Sequence, residues 1–146
     1  MRTRAKCVEN QYVEPCEQLP TFIRNLVHVG AVGDVAEAEA EALALVGLDE
    51  QSANVIVTAS QNWHPGVVGL VAARLKERFK RPAFAIALDR EGFGTGSGRS
   101  VKGVDLGRAV RASVEAGLLV KGGGHAMAAG VTIDATRIQE LRAFLE

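Results

Sequence analysis

The sequence predicts a single α/β domain with a mixed, partly parallel β-sheet and flanking helices. Three observations predict it: the chain has 146 residues, 47% of them are hydrophobic, and from residue 54 onward short β-branched runs alternate with helical patterns. A chain of this size and composition can bury a core of globular density. The longest apolar runs, such as residues 83–88, are far shorter than the roughly 20 residues of a membrane-spanning helix. We therefore expect a soluble, cytoplasmic protein without a membrane partner.

The clearest predicted unit is a strand, a helix and a second strand between residues 55 and 88. The β-branched run 55–57 predicts a buried strand, and Pro65 stands where a first helical position is expected. One face of that helix carries Val68, Val71, Ala72, Leu75 and Phe79. Pro82 opens the second strand, in which large residues alternate with alanines. Such a unit predicts that the two strands are parallel neighbours.

The rest of the chain predicts further strands and helices with less regular boundaries. Gly92, Gly94, Gly96 and Gly98 alternate through a turn and an irregular strand, which suggests backbone close to a ligand or an unusual turn. Asp105 is the expected cap of a helix that ends at residues 121–122. The last predicted elements are a strand at 128–133 and a helix at 136–144.

Upstream of residue 54 the sequence predicts two segments that differ from the main domain. Residues 1–33 show no sustained period and are assigned no role. Residues 34–53 are interpreted as a connector helix and loop, with Asp34 as the N-cap and Gly47 as the stop. Residues 54–146 form the main domain in this interpretation.

The charge is distributed unevenly although the formal net charge is zero. Residues 1–62 carry 4 basic and 9 acidic residues, net −5; residues 63–131 carry 11 and 5, net +6; residues 132–146 carry 2 and 3, net −1. A basic segment of this kind is typical of a phosphate-rich ligand, with an ordinary solvated surface as the alternative. Cys7 and Cys16 lack zinc-site spacing and are interpreted as unpaired thiols in a reducing compartment.

A serine-flanked arginine is the first candidate for anion binding. In the string 96–100, Arg99 stands between Ser97 and Ser100. A guanidinium can bind two phosphate oxygens at once, and the hydroxyls can donate beside it. The alternative is a surface arginine on a hairpin.

Two further stretches carry histidines next to glycine or proline. Gly122, Gly123 and Gly124 would let successive backbone N–H groups face one anion, with His125 at the rim, unless the glycines are a flexible helix cap. His64 and Trp63 precede the predicted helix start at Pro65, where N–H groups and the helix dipole favour an anion. Trp63 is a candidate stacking residue, with core packing as the alternative.

The strings 63–69, 96–100 and 123–130 resemble, in order and spacing, the three C-terminal motifs of RecJ exonucleases. The resemblance covers residues 54–146 and identifies them with the DHH-associated domain of the DHH phosphoesterase superfamily. It implies an α/β lobe that holds a nucleic-acid end across a cleft from a catalytic lobe. It also implies that Arg99 and His125 contact phosphates, that Gly122 to Gly124 shape the loop and that His64 lines the cleft.

The resemblance implies the substrate-binding lobe of a 5′ to 3′ single-stranded DNA exonuclease acting in DNA repair and recombination. Such enzymes use Mn²⁺ or Mg²⁺ held by an Asp/His cluster of the DHH lobe, which we expect upstream or in trans. The five aspartates of this chain are scattered and none adjoins a histidine. We therefore predict no metal and no catalytic residue in this chain, which would bind single-stranded DNA or an oligonucleotide weakly without cutting it.

Three other functions remain as alternatives. The first is the related lobe of an oligonucleotide or cyclic-dinucleotide phosphodiesterase, and the second is a non-enzymatic interaction or dimerisation module. The third, a self-contained hydrolase using His64 and His125 with Ser97 or Ser100, is disfavoured because no nucleophile-elbow string is present.

Overall fold

A single sheet of five strands forms the centre of the computed structural model, which describes residues 33–46 and 53–146. The strands are β1 (Ile56–Ser60), β2 (Ala83–Leu88), β3 (Phe93–Arg99), β4 (Lys121–His125) and β5 (Ala128–Asp134). Their order is β1-β2-β3-β5-β4, with β1 and β2 parallel and all other neighbours antiparallel. The prediction of a mixed, partly parallel sheet is confirmed.

Helices flank both faces of this sheet. They are α1 (Gly33–Leu45), α2 (Val68–Phe79), α3 (Leu106–Glu115) and α4 (Ile138–Leu145), the last preceded by a 3₁₀ turn, Ala135–Arg137. The side chains of α1 and α2 pack with the alanines of β2, whereas α3 and α4 pack with Phe84 and Ile86 on the opposite face. Residues 34–146 form one compact unit.

The alternation of β2 decides which helix covers which face. Ala83, Ala85 and Ala87 lie against the buried residues of α2, so the small side chains admit that helix close to the sheet. The helical face predicted for α2 is confirmed, because Val68, Val71, Ala72 and Leu75 are buried and Phe79 is partly buried against the same core.

The start of α2 differs from the prediction. Pro65 lies in a turn, in which the N–H of Val67 donates to the carbonyl of His64 (3.0 Å), and the helix begins at Val68. Residues 65–67 form the turn through which the chain passes from the loop after β1 into α2. The prediction that a helix starts at Pro65 and binds an anion there is therefore wrong.

The glycine-rich strand β3 is regular, contrary to the prediction. It pairs without interruption with β2 on one side and with β5 on the other. An added Cβ at Gly96 would lie 2.8 Å from Ile86, and one at Gly98 would lie 2.5 Å from Phe84. These glycines make room for the core, and only Gly92, with φ +89°, serves a turn.

The Gly122 to Gly124 run is a strand and not a helix-terminating loop. Helix α3 begins after its cap Asp105, as predicted, because the Asp105 carboxylate accepts from the N–H of Arg108 (3.0 Å). It ends at Glu115, however, and the chain turns at Gly117, with φ +73°, before β4 begins at Lys121. The predicted last strand and last helix are confirmed as β5 and α4.

The helix expected after Asp34 is present as α1, which starts one residue before that predicted cap. The predicted stop at Gly47, the cysteines and the unassigned N-terminal segment through residue 32 lie outside the described residues. Within the described ranges, no helix is long and apolar enough to cross a membrane.

Candidate functional site

One surface of the sheet carries no helix among the described residues, except over β3, where α2 packs beside Ser97 and Arg99; we call it the open face. It is the side of β3, β5 and β4 that points away from α3 and α4. Even-numbered residues of β3 are buried against the α3 side, so the odd-numbered ones point to the open face. Following the strand register, its members are Phe93, Thr95, Ser97, Arg99, Ala128, Gly130, Thr132, Asp134, Lys121, Gly123 and His125.

The register brings the predicted residues Arg99 and His125 onto one row of this face. Arg99 pairs with Ala128 of β5, and Ala128 pairs with His125 of β4. The two Cα atoms are thus separated by two strand spacings, about 10 Å. The next row joins Ser97, Gly130 and Gly123 in the same way. The sheet therefore presents the guanidinium and the imidazole to the same side.

Arg99 is half-buried and anchored by its own strand. Its Nη1 donates to Ser97 Oγ (2.6 Å) and to the carbonyl of Gly98 (2.9 Å). Among the described residues, Arg99 Nε and Nη2 have no hydrogen-bond partner. A guanidinium held at one nitrogen while keeping donors on its other side is suited to accept a bidentate anion.

Helix α2 contributes to the placement of Arg99 through a glycine. A Cβ at Gly69 would lie 2.9 Å from Arg99 Nη2 and 3.6 Å from Ser97 Oγ. The first turn of α2 therefore leaves space for the guanidinium. Gly69 was not predicted as a site residue, although an isolated glycine within a helical pattern is a signal of close packing.

His125 is exposed at the end of β4, beside the start of α3. Its Nδ1 accepts from the N–H of Met127 (3.4 Å), so Nε2 is the ring nitrogen that can donate to a ligand. The N–H of Leu106 donates to the carbonyl of Ala126 (3.0 Å), and a Cβ at Gly107 would lie 3.1 Å from the carbonyl carbon of His125. Close packing of α3 thus fixes the backbone that carries the imidazole.

The three consecutive glycines have different roles. A Cβ at Gly122 would lie 2.6 Å from Val110 of α3, and one at Gly124 would overlap the carbonyl oxygen of Ala128. At Gly123 an added Cβ would meet nothing within 4 Å. Because β4 is extended and pairs with β5, successive N–H groups point in opposite directions. The predicted anion nest is therefore wrong, and Gly123 alone of the three contributes to the floor of the open face.

The structure places Ser100 apart from the other predicted residues. Ser100 is 1% exposed, and its Oγ donates to the carbonyl of Val104 (2.8 Å). Its N–H donates to the carbonyl of Met127 (2.9 Å), which extends the pairing of β3. Ser100 therefore links the segments at residues 104 and 127 by hydrogen bonds. It is not available as the predicted phosphate donor.

The loop before α2 contains an exposed histidine and a buried tryptophan. His64 Nδ1 accepts from the N–H of Gly66 (3.0 Å), and its ring is exposed. Trp63 is 5% exposed and packs with α1, and its Nε1 donates to Glu41 Oε2 (3.0 Å). The prediction that a ligand stacks on Trp63 is therefore wrong, because the indole is part of the core.

The open face also contains residues that the sequence did not single out. Lys121 is exposed and shares a row with Thr132 and Thr95, so a second fixed cation lies on this face. Recognition of β4 as a strand would have found it through side-chain alternation. At the far end of β5, hydrogen bonds from the side chain and the N–H of Thr136 hold the pKa of Asp134 below its ordinary value.

A model of the DHHA1 domain family matches residues 52–146. The chain belongs to this family. Among curated proteins, the single-stranded-DNA-specific exonuclease RecJ of Bacillus subtilis is 40% identical over 115 residues, 76% of this chain and 14% of that protein. RecJ of Dickeya dadantii is 48% identical over 82 residues, 55% of this chain and 14% of that protein. These identities mark a RecJ-type DHHA1 domain.

The crystal structure of Thermus thermophilus RecJ in complex with Mg²⁺ has the same fold as this DHHA1 domain. The TM-score is 0.62 at 32% identity, and the match covers 76% of this chain and 17% of that one. A second structure of that protein contains Mn²⁺. The chain thus spans only about one seventh of the length of the two RecJ proteins above, at 14% in both cases.

The described residues do not fit the metal of these relatives. In residues 33–46 and 53–146 no three side chains of His, Cys, Asp or Glu cluster at metal-binding distance. Divalent cations of this type need several oxygen or nitrogen ligands converging on one point. No step of a metal-dependent reaction is therefore assigned to the described part of the DHHA1 domain.

Proposed function

We propose that the open face binds the phosphate backbone of single-stranded DNA, as the substrate-binding lobe of a RecJ-type 5′ to 3′ exonuclease. In this proposal Arg99 takes a phosphate through Nε and Nη2, beside the first turn of α2, and His125 donates to a neighbouring phosphate through Nε2. The observation that carries it is the shared row of Arg99 and His125 on the open face.

Charge and shape support a backbone ligand. Arg99 and Lys121 supply two fixed positive charges on the open face, against one carboxylate, Asp134, at its far end, and neutralised phosphates would release counterions at the two cations. Gly123 and Gly130 carry no side chain, and an added Cβ at either would meet no atom within 4 Å. A flat floor between cationic side chains admits a polymer without demanding a base sequence.

Hydrolysis itself is assigned elsewhere in this proposal. The related RecJ proteins bind Mg²⁺ or Mn²⁺ according to their structures, and a DHH lobe upstream or in trans would hold that metal. The DHHA1 domain would present the strand in the cytoplasm for a role in DNA repair and recombination. The domain alone is expected to bind and not to cut.

The first test measures oligonucleotide affinity. A 3′-labelled, 5′-phosphorylated single strand is titrated with the protein and with Arg99→Ala and His125→Ala, and binding is followed by fluorescence anisotropy. Loss of one charge-assisted hydrogen bond, about 1.5 to 3 kcal/mol, corresponds to a rise in Kd of roughly 10- to 100-fold for Arg99→Ala. A smaller rise is expected for His125→Ala, because an imidazole offers fewer donors to a phosphate than a guanidinium does.

Arg111→Ala is the matched control, because Arg111 is exposed and lies on α3, which packs on the opposite face of the sheet. It should bind as the parent does. Equal affinity of all four proteins would reject the proposal. A dinucleotide that binds as tightly as the longer strand would instead favour a phosphodiesterase of short substrates.

A further inference from the structure

A single carboxylate on α1 accepts hydrogen bonds from three side chains in and next to the loop that carries His64. Glu41 Oε1 accepts from Ser60 Oγ (2.6 Å) and from Asn62 Nδ2 (3.3 Å), and Glu41 Oε2 accepts from Trp63 Nε1 (3.0 Å). The N–H of Asn62 also donates to Ser60 Oγ (3.1 Å). Bonds to an ionised acceptor are stronger than neutral ones, so this carboxylate is the main polar anchor of the loop.

The Glu41 carboxylate is partly buried and lies beside core residues of α1 and the loop. Ala38 and Ala42 of α1 are buried in the same cluster as Trp63. The helix therefore packs with the indole, and Glu41 accepts the hydrogen bond of the indole N–H. An indole N–H is a donor only, and burial without an acceptor is costly. The loop conformation therefore depends on a helix that precedes residues 52–146, the part of the chain matched to the DHHA1 family.

The loop continues into α2, the helix whose first turn lies beside Arg99. His64 follows Trp63, the carbonyl of His64 accepts from Val67, and α2 begins at Val68, one residue before Gly69. Gly69 in turn lies against the Arg99 guanidinium. A displacement of the loop would therefore move His64 first and then the start of α2.

We infer that Glu41 is a positioning residue for nucleic-acid binding: it fixes the loop so that His64 is presented to the bound strand. This inference rests on the proposed function for its ligand, and it extends the binding unit beyond the family domain into α1. Glu41 itself does not touch the ligand and acts through Ser60, Asn62 and Trp63.

The first experiment uses the histidine ring signals in NMR spectra and needs no ligand. The chain has three histidines, so His64 and His125 are assigned with two point variants. Glu41→Ala should shift or broaden the His64 signal and leave that of His125 in place. Unchanged His64 signals would overturn the inference, and equal changes at both rings would mean general destabilisation and overturn it as well.

Trp63 provides a second readout, since it is the single tryptophan of the chain. Its emission should change in Glu41→Ala and less so in Glu41→Gln, which keeps one acceptor oxygen. Glu39→Ala is the control: Glu39 lies on the same helix, about 200° around its axis from Glu41. A spectrum of Glu41→Ala identical to that of the parent would contradict the anchor.

The final experiment is a double-variant cycle on oligonucleotide affinity. Glu41→Ala and His64→Ala should each raise the Kd roughly tenfold, the loss expected for one hydrogen bond, and the double variant should be no weaker than either. Additive losses, or parent-like affinity of Glu41→Ala, would overturn the inference. If the parent itself binds no single strand, the proposed function fails, and the NMR result alone still decides whether Glu41 holds the loop.

Discussion

The position of the Arg99 guanidinium is set by the absence of a side chain at residue 69. Gly69 occupies the first turn of α2, and an alanine there would bring its Cβ to 2.9 Å from Arg99 Nη2. The obstructing atom is the far end of a flexible side chain, so the arginine can move while the fold stays intact. Stability and binding should therefore respond differently at this position.

We predict that Gly69→Ala weakens oligonucleotide binding without destabilising the protein. Replacing a helical glycine by alanine is favourable by up to about 1 kcal/mol, so the unfolding temperature should be unchanged or higher. The displaced guanidinium should lose its geometry with Ser97, and the Kd should rise by roughly tenfold. Thermal denaturation and anisotropy titration measure the two effects.

The control for this prediction places the same change in an Arg99→Ala background. There Gly69→Ala should leave the affinity where Arg99→Ala has set it, because no guanidinium remains to be displaced. A further loss in the double variant would show that Gly69 acts through another group.

At the level of elements, β3 and β5 show that a glycine in this sheet can serve either the core or the open face. Gly98 faces the core, where a Cβ would lie 2.5 Å from Phe84 and 2.8 Å from Leu106. Gly130, in the neighbouring strand β5, faces the open side, where a Cβ meets no atom within 4 Å. The sequence pattern of alternating glycines predicted a special strand, yet it could not distinguish a core that needs space from a surface that needs to be flat.

We predict opposite outcomes for alanine at these two glycines. Gly98→Ala should lower the free energy of unfolding by about 1 to 3 kcal/mol, the usual cost of overpacking a core. Gly130→Ala should leave it unchanged or raise it by up to about 1 kcal/mol, while oligonucleotide binding weakens because the floor is no longer flat. Urea denaturation and anisotropy give both quantities, and tight binding by Gly130→Ala would contradict a ligand lying on that floor.

The elements differ in how far the sequence predicted them. Local patterns sufficed for the buried face of α2, for β2 and for the cap of α3, because the side chains there determine burial or capping within one short segment. They failed for β4, whose sequence Lys121–His125 has three glycines and no apolar residue. That segment is a strand because β5 offers it a hydrogen-bonding edge and α3 packs beneath Gly122, and both partners are distant in sequence.

For the whole molecule, the formal net charge of zero conceals a local positive surface. Residues 63–131 carry a net charge of +6, and Arg99 and Lys121 of that segment share the open face. Each phosphate neutralised on a single strand contributes about 0.7 to the slope of log K against log salt. Binding should therefore depend on salt despite the neutral total.

We predict a salt slope of about −1.4 for the parent, from two phosphates at about 0.7 each, and a slope smaller in magnitude by about 0.7 for Arg99→Ala. Kd values measured over a series of NaCl concentrations give both slopes. Arg111→Ala should keep the parental slope. Equal salt slopes for the parent and Arg99→Ala would mean that the Arg99 guanidinium does not contact a phosphate.

The sequence by itself determined the α/β class, the parallel β1-β2 pair and the presence of RecJ-like motifs, because these depend on local periodicity and on short strings. Tertiary structure alone decided that Arg99 and His125 share a row, that Trp63 and Ser100 are buried, and that Glu41 reaches the loop before His64. Strand order and register join residues far apart in the chain, and no pattern within a single segment contains that pairing.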